Sequence, residues 1–182
     1  MVSVAAMEDQ AEVANYPTDN KPDHGSKKGA TLLQGEMAFM QIDEPVGETL
    51  LGQVKSENGL GWVPTGVYTE HIAQYVNQAQ KHTADGQVIN GYKIIVYPAL
   101  KATGEGTFES ETDSSDGVDP IQYTIPLQAT ASPNYKSQGN TPAQMTYEVW
   151  GKQAEEFEKM MNNELFIMFP DTVIPTGTTT GK

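Results

Sequence analysis

Residues 121–131 read "IQYTIPLQATA", and their strict alternation is the feature that most constrains the fold. Ile121, Tyr123, Ile125, Leu127 and Ala129 fall on one side; Gln122, Thr124, Pro126, Gln128 and Thr130 fall on the other. Successive side chains of a strand point to opposite faces, so this segment can bury its apolar set only as β structure. Pro126 has no N–H to give to a ladder, which predicts an edge or a bulge at this strand. "TFESETDS" and "MTYEVWG" read as further strands, and "ELFIMF" as a final buried one ended by Pro170. Residues 32–42, "LLQGEMAFMQI", are strand-like and apolar on both faces at their centre, where Met37 and Phe39 oppose Ala38 and Met40. "VSVAAM" opens as a short strand with Val2, Val4 and Ala6 alternating.

Helical signals are fewer. Residues 152–163 place Ala154, Phe157, Met160 and Met161 on one stripe. "DEPVGETLLG" has acids at its front, Pro45 near a first turn and Gly52 as a stop, the pattern of a short helix. "TEHIAQYVNQAQKH" is ambiguous: Ile72, Tyr75, Val76 and Ala79 match helical spacing, and periodicity alone favours a helix. As a strand, Ile72 and Val76 would share a face with Gln74, against Ala73, Tyr75 and Ala79. Turn signals follow at Asp85-Gly86 and Asn90-Gly91, either of which can join two strands as a hairpin. "ENGLGWVPTG" reads as a loop with Trp62 as its one large anchor. No internal repeat is present. Strands with one or two short helices predict a mainly-β (α+β) domain, an antiparallel two-sheet β-sandwich with helices packed on it.

The chain of 182 residues fits one domain with a real core. It has no cysteine, which excludes disulfides, thiolate metal sites and cysteine nucleophiles. No apolar run approaches the roughly 18–20 residues of a membrane span, and the opening residues lack a signal-peptide pattern, so a soluble protein without an export address is expected. Net charge is −13, and all eleven positive side chains are lysine. Without arginine, the planar fork that reads guanine and clamps phosphate is missing, which argues against base-specific DNA readout. The acids cluster: Glu105, Glu109, Glu111, Asp113, Asp116 and Asp119 lie in a stretch without a cation between Lys101 and Lys136. Such a run is a solvated surface that promotes solubility, or a surface that repels a polyanion.

Catalytic signals are lacking. His24, His71 and His82 have no partner at metal-ligand spacing and read as surface residues. "DSSDGVD" approaches a calcium loop but misses the D-x-[DN]-x-[DN]-G register and the later Glu. "GEGTFES" and "GLGWVPTG" lack the strand-to-helix setting of a phosphate site. Trp62 and Trp150 can stack on a sugar, but read first as core or hinge anchors. No enzyme activity and no cofactor are expected. The feature left unexplained is "NYPTDNKPDHGSKKGATLL", residues 15–33, a polar loop far longer than a hairpin turn between two strand-like stretches.

A series of strings accounts for it. "SVAAMEDQAEV", "YPTDNKPDHGSKKGATLLQGEMAFMQ", "LGQVKSENGLGWVPTG", "ESETDSSDGVDPIQYT", "VWGKQAEEF" and "LFIMFPDTV" resemble, in order, the major tail (tail tube) proteins of long-tailed siphophages of lactic acid bacteria. The similarity runs from about Val2 to Val173. It implies a β-sandwich with a flanking helix, assembled as rings, usually hexameric, that stack into a tube through which double-stranded DNA leaves the capsid without specific binding. It implies that residues 15–29 are a loop reaching the neighbouring ring, with Tyr16, Asp19, Lys21, Asp23, His24, Lys27 and Lys28 as contact candidates. The acidic set from Glu105 to Asp119 becomes the candidate lumen surface. Tape measure, tail terminator and baseplate proteins are the implied partners, and the virion tail the implied location, with no membrane. The short helix maps to 45–51, and residues 69–81 become a strand. Residues 1–174 form the tube domain, and 175–182 a flexible tail. Family members carry a further segment before the equivalent of Val2, without which loss of a sheet edge or an inter-subunit contact is expected; some relatives also bear an extra C-terminal domain. The competing class is a monomeric β-sandwich binding module, carbohydrate- or adhesin-like, using Trp62.

Overall fold

The computed structural model describes residues 3–4, 7–15, 26–39, 44–109 and 122–175. In chain order the elements are β1 (Ser3–Val4), β2 (Glu8–Asp9), β3 (Val13–Asn15), β4 (Ser26–Lys28), β5 (Leu32–Phe39) and α1 (Glu44–Thr49). There follow β6 (Gln53–Lys55), β7 (Trp62–Pro64), β8 (His71–His82), β9 (Val88–Ala102), β10 (Thr107–Glu109), β11 (Gln122–Thr130), β12 (Met145–Trp150) and α2 (Lys152–Asn163). The chain is mainly β, with antiparallel pairing and two short helices. It divides into two compact units, residues 1–71 with 99–131, and residues 72–98 with 132–182.

In the first unit β5 and β11 form the central ladder, from Tyr123↔Phe39 to Thr130↔Leu32. β1 and β2 pair with β5, while β10 and the end of β9 pair with β11. The alternation of β11 is realised as burial: Ile125, Leu127 and Ala129 are fully enclosed, and meet Leu33, Met37 and Phe39 of β5 as core residues. Pro126 is not at an edge, contrary to the expectation from its missing N–H. β11 has partners on both sides, β10 up to Thr124 and β9 from Leu127, and Pro126 sits in the gap between them. Its carbonyl still accepts from Thr103 N at 3.0 Å. The proline occupies the place where no donor is wanted.

Two ribbons are separate from this ladder and, among the described residues, pair only within themselves. β3 pairs with β4 (Val13↔Lys28 to Asn15↔Ser26), extended by Gly29 N donating to Glu12 O at 3.0 Å, so both ends of the expected 15–29 loop are strand. β6 pairs with β7, which corrects the loop reading of "ENGLGWVPTG". Trp62 is 37% exposed and so is no buried anchor. The short helix starts one residue earlier and ends two residues earlier than expected, and the strand read over 32–42 is seen as far as Phe39, residues 40–43 being outside the described set. Gly52, with φ +58, allows the turn after α1: a Cβ there would lie 2.0 Å from Val67 O.

In the second unit β8 and β12 both pair with β9. The strand reading of 69–81 holds and the helical periodicity does not. Asp85-Gly86 supplies the β8–β9 turn, closed by Thr83 N to Gln87 O at 2.9 Å, whereas Asn90-Gly91 lies inside β9 and makes no turn. α2 matches its expected span. Ala154 and Phe157 are buried with Ile94, Val96, Tyr135, Val149, Met168 and Ile174, but Met161 is 39% exposed. The expected final strand "ELFIMF" is extended without ladder pairing. The Gln74 side chain takes the place of a neighbouring strand: its Nε2 donates to Phe166 O at 2.9 Å, and Met168 N donates to its Oε1 at 2.8 Å. Tyr135 O–H donates to Met168 O at 2.8 Å, and the Tyr135 and Tyr147 hydroxyls share a 2.5 Å hydrogen bond.

Candidate assembly surfaces

The β3–β4 ribbon is the stem of the long polar segment. Lys27 and Lys28 lie on β4 with their backbones paired to Ala14 and Val13; Tyr16, Asp19, Lys21, Asp23 and His24 fall outside the described residues. Of the acidic set, Glu105 is exposed just before β10 and Glu109 ends β10 opposite Gln122. Glu111, Asp113, Asp116 and Asp119 are again outside the described residues, as is the expected tail beyond Pro175.

The histidines have structural surroundings. His71 Nε2 is 2.6 Å from Thr69 Oγ1 and 3.0 Å from Thr49 O, which ties the start of β8 to the end of α1. His82 ends β8 in solvent, and His24 is not described. Among the described residues no group of three acidic or histidine side chains is placed to hold a metal ion. No helix among them is long and apolar enough to cross a membrane.

A groove of about 950 Å³ in the second unit runs between the β8–β9 ribbon and α2. Two polar pairs line it: Gln80 Nε2 donates to Asn90 Oδ1 at 3.2 Å, and Tyr92 O–H to Glu158 Oε2 at 3.2 Å. Burial, then that carboxylate, raise the Tyr92 pKa. Tyr75, edge-on to Tyr97 at 5.8 Å, is pushed up to about 12, chiefly by burial. These phenols stay neutral at any ordinary pH and act as packing and hydrogen-bonding groups. No nucleophile–base pair emerges from the groove.

A surface that sequence reading passed over is the β6–β7 ribbon. Lys55 sits 5.5 Å from the centre of the Trp62 ring and is ion-paired with Glu44, whose hydrogen bond and charge raise its pKa. Leu60, between the strands, is 89% exposed. The sign available beforehand was an apolar "LGWV" inside a turn-rich string.

The chain belongs to the phage tail tube protein family, whose profile matches residues 1–177. It is 53% identical over 175 residues to the tail tube proteins of Lactococcus phages p2, SK1 and F4-1, an alignment covering 96% of this chain and 58% of each relative. The chain thus spans rather more than half the length of those curated relatives. No solved structure matches it.

Proposed function

We propose that this chain is a structural virion protein of the phage tail that assembles with copies of itself into rings, hexameric in the simplest case, which stack as the tail tube and conduct DNA during ejection. The family match over residues 1–177, with 53% identity to tail tube proteins, carries the reading. Residues 1–174 act as the tube-building domain. The tape measure, terminator and baseplate proteins are its further partners in the virion. The β3–β4 ribbon supports an inter-ring role for the loop it carries, with Tyr16, Asp19, Lys21, Asp23, His24, Lys27 and Lys28 as contact residues. The acids from Glu105 to Asp119 line the bore. A lumen that bound phosphate tightly would stall the genome, and at physiological salt a charge acts over only about 8 Å, so the repelling carboxylates have to face the bore itself.

Size-exclusion chromatography with negative-stain microscopy tests this. Rings or tubes are expected, and a particle that stays monomeric at every concentration and salt overturns the reading. Deleting residues 18–24 should leave folded rings that do not stack, because a polar loop tip contributes little to a core. Normal stacking by that variant would remove the loop from the inter-ring contact.

Salt separates the contacts. Exposed lysine–carboxylate pairs contribute roughly 0–1 kcal/mol each and are screened, so stacking should weaken as salt rises while rings persist. Duplex DNA should show no binding even at low salt, where attraction is strongest. Micromolar DNA affinity at moderate salt would sink the repelling bore.

A further inference from the structure

We infer that the β6–β7 hairpin is a rigid apolar knob through which one copy of the chain docks on a second copy. Among the described residues, β6 and β7 pair only with each other. Val54 lies opposite Val63, and Lys55 opposite Trp62, so the two pairs occupy opposite faces of the ribbon. Val54 and Val63 are about half exposed, Leu60 is 89% exposed and Val67, just beyond β7, 63%. A two-stranded ribbon wet on both faces gains little stability from its own pairing, and apolar residues gathered on it mark a contact surface.

The tip is built to hold one shape. Ser56 N donates to Gly61 O and Gly59 N to Ser56 O, both at 2.8 Å. Ser56 Oγ donates to Asn58 Oδ1 at 2.6 Å, Leu60 N to the same oxygen at 3.0 Å, and Gly61 N to Ser56 Oγ at 3.0 Å. Gly59 supplies the φ of +70 that closes the turn. Leu60 is therefore presented by an ordered frame, and docking it costs little further backbone entropy.

Charge identifies the occupant. Copies that each carry −13 repel one another over most of their surface, so contacts between them have to form where carboxylates are scarce. Residues 50–69 contain one acid, Glu57, and one base, Lys55, and so carry no net formal charge; Lys55 pairs with Glu44 of α1 at the base of the hairpin. The hairpin is neutral and apolar on an acidic chain, which suits a like-charged neighbour and offers nothing to a polyanion. A knob that meets a different patch on the next copy repeats around a ring or along a tube. The inference rests on the tube-building reading above.

Sedimentation velocity of the wild-type, Leu60→Asp, Leu60→Lys and Ala84→Asp chains tests it, with circular dichroism reporting that each is folded. Ala84 is an exposed residue of the β8–β9 turn and controls for added charge. Both Leu60 variants should need roughly tenfold or more protein to assemble, the loss expected for one leucine left wet. Ala84→Asp should assemble as wild type. Normal assembly of Leu60→Lys beside failure of Leu60→Asp would make repulsion the cause and overturn apolar docking. Equal assembly of all four chains overturns the knob and leaves the tube reading standing. A wild type monomeric at every concentration overturns the tube reading and the docking with it. Leu60-dependent binding to phosphatidylcholine vesicles, with assembly unaffected, would assign the hairpin to a lipid surface instead.

Discussion

Phe157→Ala should lower the unfolding free energy by about 3–5 kcal/mol, the cost of emptying a closed aromatic site. Phe157 is 1% exposed, and its ring lies 5.8 Å from Tyr92 and 6.0 Å from Phe166, between a strand and the extended segment after α2. Neither neighbour can collapse into the gap freely: Tyr92 is fixed in the β9–β12 ladder, and the segment of Phe166 is held by Gln74. Glu155→Ala, on the exposed side of the same helix, should change stability by no more than about 0.5 kcal/mol. Urea unfolding followed by circular dichroism reads both. A Phe157→Ala chain as stable as its parent would mean that this face of α2 is not part of the core.

The contrast between α2 and the elements around it shows what a sequence carries. α2 and β11 were legible because one face of each is fully buried and the other is not, exposed in α2 and half-buried in β11, so the chemical pattern has the period of the backbone. β8 has no such contrast. Ala73, Gln74, Tyr75 and Val76 are all half-buried, and the residue spacing that survives happens to match a helix. The segment after α2 misled for a different reason. Its apolar residues do resemble a strand, but its backbone partners are the amide atoms of Gln74, a side chain far away in sequence. Pro126 was read from its own missing donor, while its tolerance depends on where two other strands stop and start. Of the candidate site, the charge balance was legible, since it is a property of composition. The apolar hairpin was not: its apolar residues are few, and their exposure depends on β6 and β7 pairing with each other alone.

The two separate ribbons also bear on how an acidic chain manages open sheet structure. Unpaired strand edges invite promiscuous pairing, and like charge on every copy is one way to blunt them. A protein that has to assemble cannot be repelling everywhere. The Lys-bearing β4 and the neutral β6–β7 hairpin are departures from the overall sign, on ribbons that contribute nothing to the central β5–β11 ladder. Changes at their tips should therefore alter association more than folding.

Gly91→Ala should be as damaging as a core truncation, although it adds a single methyl group. Asn90-Gly91 has the look of a turn, but Gly91 lies within β9 opposite Trp150, at the last rung before α2 begins. A Cβ there would come within 2.2 Å of Val149 O and 2.5 Å of Trp150 Cε3. The first is backbone, so the clash cannot be relieved by turning a side chain; β12 has to move away from β9. The movement would also strain Gly151 N to Asn90 O, the 3.0 Å bond that sets the start of α2. Overpacking of this kind costs on the order of 3 kcal/mol. Gly61→Ala is the control, because its Cβ would meet only Ser56 Oγ at 3.5 Å, an ordinary contact. That change should be near neutral, or stabilise by a few tenths of a kcal/mol through the unfolded chain. Gly91→Ala and Phe157→Ala should not add in a double variant, since Tyr92, next to Gly91, is the ring on which Phe157 packs. Equilibrium unfolding of the wild type and the four variants decides it, and a Gly91→Ala chain at least as stable as wild type would mean that β9 and β12 do not approach at this rung.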